Sequence, residues 1–250
     1  MIKLALFGAG RIGKIHGHNV ALNPQAELVA LHDPYQVNAD HLSAALGCKQ
    51  MTPEQIFSDP SITGILVCSA TDTHADLIEQ AVLAGKHVFC EKPIDLSLAR
   101  VQQVVDKVNA SPITTMLAFN RRFDSNFALL QQRIAAGEIG DVELVSIISK
   151  DPSPPPVDYI KVSGGLFRDM TIHDFDMARF LLAEEVVQVT AQASCLVDPA
   201  IGLAGDVDTA LVTLRTASGK LAQISNSRRA SFGYDQRFEV HGSLGMLTAA

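Results

Sequence analysis

Residues 4–13 read LALFGAGRIG, an apolar run of strand length that passes directly into a glycine-rich turn. A helical pattern follows, from about Lys14 to Leu22. The glycines form a GxGxxG motif in the setting that it requires, between a strand and a helix. In such a motif Gly8 makes the tight turn, Gly10 allows the backbone to approach a pyrophosphate, and Gly13 permits close helix packing. The stretch therefore predicts a dinucleotide site, with a purely structural turn as the alternative.

An acidic residue at the end of the next strand strengthens this prediction. The strand pattern at 26–32 is followed by Asp33, twenty residues beyond Gly13, where a carboxylate can hold both ribose hydroxyls of an adenosine. Because such a carboxylate repels a 2'-phosphate, the sequence favours NAD over NADP. Arg11 and Ile12 are further candidate cofactor contacts, since backbone N–H groups at a helix start attract anionic oxygens.

Strand and helix patterns alternate up to residue 120. Beyond the first two strands, strands are predicted at 64–68, 87–90 and 114–119, and helices near 37–46, 75–84 and 96–109. This alternation predicts an α/β fold, a doubly wound parallel sheet of the Rossmann type, over residues 1–120.

Polar residues follow one of these strands, at the sheet edge where such folds bind ligands. Ser69, Ala70, Thr71 and His74 are candidate cofactor contacts. An equally good interpretation of each is a polar loop in which Thr73 is a helix N-cap.

The segment Glu91-Lys92-Pro93 follows the next strand end. The ammonium of Lys92 can hydrogen-bond a substrate hydroxyl there and stabilise the alkoxide character that develops during oxidation. A solvated surface lysine is the alternative. Glu91 is a candidate cofactor contact, and Pro93 is expected to stiffen the turn, with a cis peptide bond as one form.

The pattern changes over residues 121–250. Strands are predicted at 142–148, 186–197, 209–216, 221–226 and 237–241, with helices near 126–136 and 166–182. This order predicts an α+β domain, a largely antiparallel sheet with helices on one face. The proline-rich segment 151–156 is predicted to be a stiff extended loop. The pattern stops at Ala250, so we expect a shortened chain whose incomplete sheet favours association.

The helix predicted at 166–182 carries the candidate chemistry of this half. Asp169 and His173 are four residues apart and therefore share a helix face. A carboxylate there can accept from one imidazole nitrogen while the other nitrogen takes a proton. An unrelated surface acid and histidine are the alternative.

Composition restricts the partners. The net charge is -7 and no basic run offsets it, so nucleic acid and anionic membrane surfaces are not expected to bind. The four cysteines form no CxxC pair, and we find neither a metal-ligand pattern nor a signal or membrane-spanning segment. These features predict a cytoplasmic protein with a small-molecule ligand.

The motifs together resemble those of the Gfo/Idh/MocA family of NAD(P)-dependent oxidoreductases. The resemblance rests on the GxGxxG with Asp33, on residues 91–93, and on the pattern GGxxxDxxxH at 164–173. Within the family the chain is most similar to the inositol 2-dehydrogenases, through residues 120–124, 151–165 and 234–237. The resemblance implies oxidation of a cyclic polyol, myo-inositol to 2-keto-myo-inositol, in a dimer or tetramer.

The resemblance also assigns roles to residues. It implies a catalytic trio in which His173 is the base, Asp169 orients it, and Lys92 positions the hydroxyl. The pocket residues that it implies for a polyol are Asn120, Arg121, Asp151 and Tyr234. Three alternatives stay open: a dehydrogenase of another sugar or polyol, an NAD-dependent glycoside hydrolase of the same fold, and a nucleotide-sensing protein without turnover.

Overall fold

A computed structural model describes residues 1–250, which divide into two compact units, Met1–Ala118 and Phe119–Ala250. The sequence-based boundary, at residue 120, lies two residues further along the chain. None of the helices combines the length and the apolar character needed to cross a membrane.

The first unit is built on a six-stranded parallel sheet. Its strands are Ile2–Phe7 (β1), Ala26–His32 (β2), Lys49–Gln50 (β3), Gly64–Val67 (β4), His87–Cys90 (β5) and Thr115–Leu117 (β6). Its helices are Arg11–Leu22 (α1), Gln36–Leu46 (α2), Pro53–Ser58 (α3), His74–Leu83 (α4) and Leu98–Asn109 (α5), with a 3-10 turn at Thr71–Thr73. The strand order β3-β2-β1-β4-β5-β6 confirms the doubly wound arrangement.

Both faces of this sheet are covered because its strands send apolar side chains to both sides. On β1, Ala5 and Phe7 enter one buried cluster, while Leu6 between them enters another. Each face thus has a core of its own. The arrangement leaves the carboxyl ends of the strands as the edge from which the ligand loops emerge.

The second unit has a six-stranded mixed sheet. Its strands are Val142–Lys150 (β7), Val186–Ser194 (β8), Thr209–Thr216 (β9), Leu221–Ser227 (β10), Asp235–Gly242 (β11) and Gly245–Ala249 (β12). Its helices are Ser125–Ala135 (α6), Val157–Ser163 (α7), Ile172–Leu182 (α8) and Pro199–Leu203 (α9), with a 3-10 turn at Asn120–Phe123. The strand order is β12-β11-β7-β10-β9-β8.

All neighbouring strands of this sheet are antiparallel except β7 and β10, which run parallel. Alternate residues of β9, such as Val212 and Leu214, are buried with Met177 and Leu181 of α8, and the residues between them are exposed. The helices therefore cover one face of a largely antiparallel sheet, as predicted.

The helix predicted at 166–182 is helical over that whole range, but its first turn is not an ordinary α-helical turn. Residues Phe167–Thr171 form a wide π-helical turn, and the α-helix begins at Ile172. Two glycines in the left-handed region, Gly164 with φ 86° and Gly165 with φ 78°, precede the turn. Because only glycine adopts such angles readily, they allow the chain to leave α7 and re-enter helical geometry after two residues.

Several short elements were not predicted. The helices α3 and α9 have six and five residues, too few to show a hydrophobic period. Both carry a start signal, a capping residue followed by proline: the side chain of Thr52 accepts from the Gln55 N–H, and that of Asp198 accepts from the Ala200 N–H. The strands β3 and β12 and the helix α7 also lie outside the predicted elements.

Candidate functional site

The glycine loop after β1 is shaped by close backbone packing. Gly8 has φ 94°, and a Cβ there would lie 2.5 Å from the carbonyl oxygen of Cys68, the residue that follows β4. A Cβ on Gly13 would lie 1.9 Å from the Gly8 carbonyl oxygen. The tight turn and the close helix packing predicted for these two glycines are therefore both present.

Gly10 differs from its two neighbours in the motif. A Cβ on Gly10 would meet no atom of this chain within 4 Å, so packing within the protein does not explain the glycine. Gly10 is also the N-cap of α1. No side chain caps the N–H groups of the first helical turn, to which Arg11 and Ile12 belong. Open backbone with unsatisfied donors at the start of a twelve-residue helix suits a dinucleotide pyrophosphate.

Asp33 is fixed beside this loop. One carboxylate oxygen accepts from the Ala9 N–H at 2.6 Å and the other from the Tyr35 N–H at 2.7 Å. A carboxylate offers about four acceptor positions, so the two oxygens keep capacity for further donors such as ribose hydroxyls. Its orientation is set by the loop itself, and Pro34 and Tyr35 place no cation there.

The loop after β4 is held by its own side chains. The hydroxyls of Ser69 and Thr73 lie 2.6 Å apart, and Thr73 donates to the Ala70 carbonyl oxygen at 2.7 Å. Thr73 is the N-cap of α4, as the alternative interpretation predicted, but its side chain does not cap the helix. His74 is buried, with Nε2 3.1 Å from the Ser69 carbonyl oxygen and Nδ1 2.8 Å from that of Pro93. His74 thus joins two loops.

Glu91 has a partner that the sequence analysis did not single out. Its carboxylate lies 2.8 Å from Nε2 of His16 on α1, and the His16 ring packs edge-on against Phe89 with centroids 4.8 Å apart. Lys92 follows, half-buried, and the Lys92–Pro93 peptide bond is cis. Lys92 therefore lies on a turn whose first residue, Glu91, contacts His16 of α1.

In the second unit, Asp169 lies within the wide turn and His173 lies in the first turn of α8. Each oxygen of the Asp169 carboxylate is engaged. Oδ1 accepts from the Tyr159 hydroxyl at 2.9 Å, and Oδ2 accepts from Nη1 of Arg228 at 3.4 Å. The His173 ring packs edge-on against Phe119, with centroids 6.4 Å apart. Neither Tyr159 nor Arg228 was among the predicted site residues.

The ends of β7 and β10 bring further charged side chains close to Asp169. Ser227 pairs with Lys150, the last residue of β7, so Asp151 and Arg228 follow adjacent parallel strand ends. The Asp151 N–H donates to the Ser227 carbonyl oxygen at 3.0 Å. The Arg228 guanidinium lies within 4.0 Å of the carboxylates of Asp151, Asp169 and Asp206, and we call these four residues the strand-end cluster.

Arg121, a predicted polyol contact, is buried among polar side chains. Its Nη1 donates to Asp174, its Nη2 donates to the Ser149 hydroxyl at 3.0 Å, and Asp174 also accepts from the Asn226 amide at 2.7 Å. Burial raises the pKa of Asp174, although the Arg121 charge opposes this shift. Most of the hydrogen-bonding capacity of Arg121 is therefore used within the protein.

A cavity of about 380 Å³ opens beside these groups, entirely within the second unit. The residues that line it are Asn120, Arg121, Phe123, Asp124, Phe127, His173, Tyr234 and Gln236. Gln236, oriented so that its side-chain oxygen faces donors, accepts from Nε of Arg121 at 3.1 Å and from the Tyr234 hydroxyl at 2.7 Å. Three of the four predicted polyol contacts thus line one cavity with His173, and Asp151 belongs to the strand-end cluster.

Family models match both units. The model of the oxidoreductase family with an NAD-binding Rossmann fold, GFO_IDH_MocA, covers residues 2–119, and the model of the GFO/IDH/MocA C-terminal domain covers residues 127–248. The chain belongs to the Gfo/Idh/MocA family. This membership confirms the resemblance, and it confirms that the first unit is an NAD-binding Rossmann domain of an oxidoreductase.

Relatives of this Gfo/Idh/MocA protein that match nearly its whole length carry closely related names. An inositol 2-dehydrogenase of Rhizobium meliloti is 55% identical over 99% of this chain and 75% of its own length. A myo-inositol 2-dehydrogenase of Thermotoga maritima is 47% identical over the same shares of the two chains. A crystal structure of a myo-inositol dehydrogenase from Corynebacterium glutamicum is 48% identical, with a TM-score of 0.95, over 100% of this chain and 75% of that one.

Proposed function

We propose that this protein is an NAD-dependent inositol 2-dehydrogenase that oxidises myo-inositol to 2-keto-myo-inositol. The observation that carries the proposal is the placement of His173 on the wall of a polar cavity, four residues after an Asp169 carboxylate that Tyr159 and Arg228 hold by both oxygens. The names of the two relatives and the solved structure support the substrate class.

The chemistry of the cavity suits a polyhydroxylated ring. Its volume of about 380 Å³ lies within the roughly 300–1,000 Å³ of small-molecule sites. Asn120, Tyr234 and Gln236 supply donors and acceptors on its wall, and each buried ring hydroxyl left without a partner would cost roughly 1–3 kcal/mol. We propose that Asn120, Arg121, Asp151 and Tyr234 contact the polyol, with Gln236 as an additional contact.

The proposed mechanism assigns one task to each residue of the trio. His173 takes the proton of the hydroxyl that is oxidised, because a neutral imidazole is a base near neutral pH. Asp169 orients the ring and stabilises the imidazolium that forms. Lys92 hydrogen-bonds the hydroxyl oxygen and stabilises its developing negative charge. NAD, when bound, supplies the hydride acceptor.

The cofactor contacts that we propose lie on the first unit. Gly8 and Gly13 shape the loop, while Gly10, Arg11 and Ile12 present backbone to the pyrophosphate. Asp33 accepts the ribose hydroxyls. The remaining proposed contacts belong to the two following loops and comprise Ser69, Ala70, Thr71, His74, Glu91 and Lys92.

The test measures reduction of NAD by the purified protein with myo-inositol and its epimers. We expect turnover with myo-inositol and a loss of about 10²–10⁴-fold in kcat for His173→Ala, the usual contribution of a general base. His41→Ala, which removes an exposed histidine on α2, is the matched control and should leave kcat unchanged. Absence of NAD reduction with every inositol epimer would contradict the proposal. Release of sugar from a chromogenic glycoside without net NAD reduction would select the glycoside hydrolase instead.

We also propose that the protein works in the cytoplasm as a dimer or tetramer. All four cysteines are free, which is typical of a reducing compartment. The sheet face opposite the helices exposes large apolar side chains, among them Leu211 at 61% and Leu221 at 48%, which favours association. The native mass in solution tests the oligomer, and a monomeric mass at micromolar concentration would contradict it.

A further inference from the structure

Arg228 is a buried cation that contacts Asp169 but takes part in no step of the proposed mechanism. Its side chain is 1% exposed, and it follows the last residue of β10 directly. Its guanidinium lies 3.4 Å from Asp169, 3.9 Å from Asp206 and 4.0 Å from Asp151. One cation is thus shared by three carboxylates.

The backbone explains why these four residues meet. Asp151 and Arg228 follow the paired ends of β7 and β10. Asp206 accepts from the Leu166 N–H with both oxygens, at 3.1 and 3.0 Å, where the chain enters the turn that carries Asp169. A Cβ on Gly165 would lie 2.5 Å from Asp206 Oδ1, so the glycine allows this contact.

The geometry of Arg228 differs from that of the structural arginines in the same unit. Arg122 binds Asp176 through two hydrogen bonds, of 2.7 and 2.6 Å, and Arg237 binds Asp235 through two, of 2.8 and 3.0 Å. Arg228 makes one long hydrogen bond, and its buried Nε and Nη2 have no hydrogen-bond partner. Leaving buried donors without a hydrogen-bond partner destabilises the folded state, so stability alone does not explain Arg228.

We propose that Arg228 is a positioning residue that holds the Asp169 carboxylate in a fixed orientation for its action on His173, and that couples Asp169 to Asp151. The proposal rests on the proposed dehydrogenase function and deepens it. It joins the base of the reaction to a proposed polyol contact through one buried charge, so that both respond to the loss of Arg228.

The direction of the effect follows from the charges around the cluster. Asp169 faces the Tyr159 hydroxyl and Arg228, while Asp151 is influenced by Arg121 and Asp174 as well as by the cluster. Burial raises the pKa of Asp151, and the Arg228 charge opposes the rise. Removing the cation favours protonation of the carboxylates and of the neighbouring imidazole. The acidic limb of the kcat/KM profile should therefore move to higher pH.

The experiment compares R228M, which removes the charge, with R228K, which keeps it. We expect R228M to move the acidic limb upward by about one pH unit, because a positive charge that disfavours the imidazolium is lost, and to raise KM. R228K should keep the limb within a few tenths of a unit. R229M removes an exposed cation one residue further along the chain and is the matched control, with an unchanged profile.

D206N supplies a test in the opposite direction. It removes one of the three carboxylates, so the acidic limb should move to lower pH, and this variant keeps the test decisive if R228M does not fold. A purely structural Arg228 would lower the thermal midpoint in R228M and R228K without moving the limb in any variant, which would overturn the proposal.

A measurement without turnover separates this inference from the proposed function. In protein labelled at histidine, the titration midpoint of the His173 ring should move upward in R228M and downward in D206N, with no substrate present. If wild-type protein fails to oxidise inositol but these shifts occur, only the proposed substrate is wrong. If wild-type protein turns over and neither the profile nor the ring titration moves, only the role of Arg228 is wrong.

Discussion

The glycine loop of the first unit and the strand-end cluster of the second depend on different types of residue. The loop depends on missing side chains, because a Cβ on Gly8 or Gly13 would collide with backbone. The cluster depends on charged side chains, with Arg228 shared by three carboxylates. The two sites should therefore tolerate different substitutions. Substitutions that add volume should disrupt the glycine loop, and substitutions that change charge, or changes in pH, should disrupt the strand-end cluster.

The largest expected effect concerns the buried ion pair beside the cavity. In Asp174→Asn, one carboxylate oxygen becomes an NH₂ group that faces either Arg121 or the Asn226 amide, both of them donors. Breaking a buried pair in this way should cost about 3–5 kcal/mol, or roughly 10 °C in Tm for a chain of this size. Thermal unfolding of the purified variant measures it.

Arg121→Met sharpens the same result. It leaves Asp174 without its cation, but burial already raises the pKa of this carboxyl, so it can take up a proton and lose its charge. We therefore expect a smaller loss of stability than in Asp174→Asn. A larger loss in Arg121→Met would show that the carboxylate, not the guanidinium, is the costly unpaired group.

The next effect tests the loop with added volume. In Gly13→Ala the new Cβ would lie 1.9 Å from the Gly8 carbonyl oxygen, and relieving this overlap should cost about 3 kcal/mol of stability. In Gly10→Ala the Cβ meets nothing within 4 Å, so stability should stay within about 0.5 kcal/mol. Affinity for NAD should fall in both variants. Unfolding in urea and NAD titration measure the pair, and equal destabilisation by both substitutions would contradict the packing argument.

Asp208 extends the comparison to pH. Its side chain is fully buried, and burial by itself would raise the pKa of the carboxyl. Hydrogen bonds from the N–H groups of Leu196, Asp198 and Val197 outweigh burial and lower the pKa to about 2, from the usual 3.8. A lowered pKa means that the stabilisation, about 2 kcal/mol, is present above pH 3.8 and is lost as pH falls toward 2. The stability difference between wild type and Asp208→Asn should therefore shrink over this window in urea unfolding. A difference that is constant with pH would contradict this role.

The smallest effect is expected for an exposed pair in the same unit. Arg133 and Glu138 form a two-bond ion pair, but each side chain is 46% exposed. Solvent and salt screen such pairs, so Glu138→Gln should change stability by less than about 1 kcal/mol. Urea unfolding at low and high salt measures it. A loss as large as that of Asp174→Asn would mean that burial does not govern the cost.

The sequence predicted the first unit well because its signals are local. The glycine loop, Asp33 and the alternation of strands and helices each lie within a few tens of residues, and the strand β2 has its predicted bounds. The cis bond at Pro93 agrees with the expected rigid turn. What was missed there, such as the contact of His16 with Glu91, joins positions 75 residues apart, for which a single sequence gives no pairing signal.

The second unit was predicted less completely for the same reason. Its helices and strands follow from periodicity, but nothing local indicates that β7 and β10 pair in parallel. Without that pairing, Arg228 cannot be distinguished from Arg229 beside it, although only the first is buried. The wide turn at 167–171 was missed because its apolar spacing resembles that of an ordinary helix.

The parallel pairing of β7 and β10 has a consequence for how the protein is made. Paired residues of the two strands are 77 positions apart, as in Ser225 and Ile148, so they meet only after a long loop has closed, which is entropically costly and slow. On the ribosome the first unit can fold as soon as it emerges. A nascent chain that has not yet exposed residue 228 can therefore have a formed glycine loop but no assembled strand-end cluster.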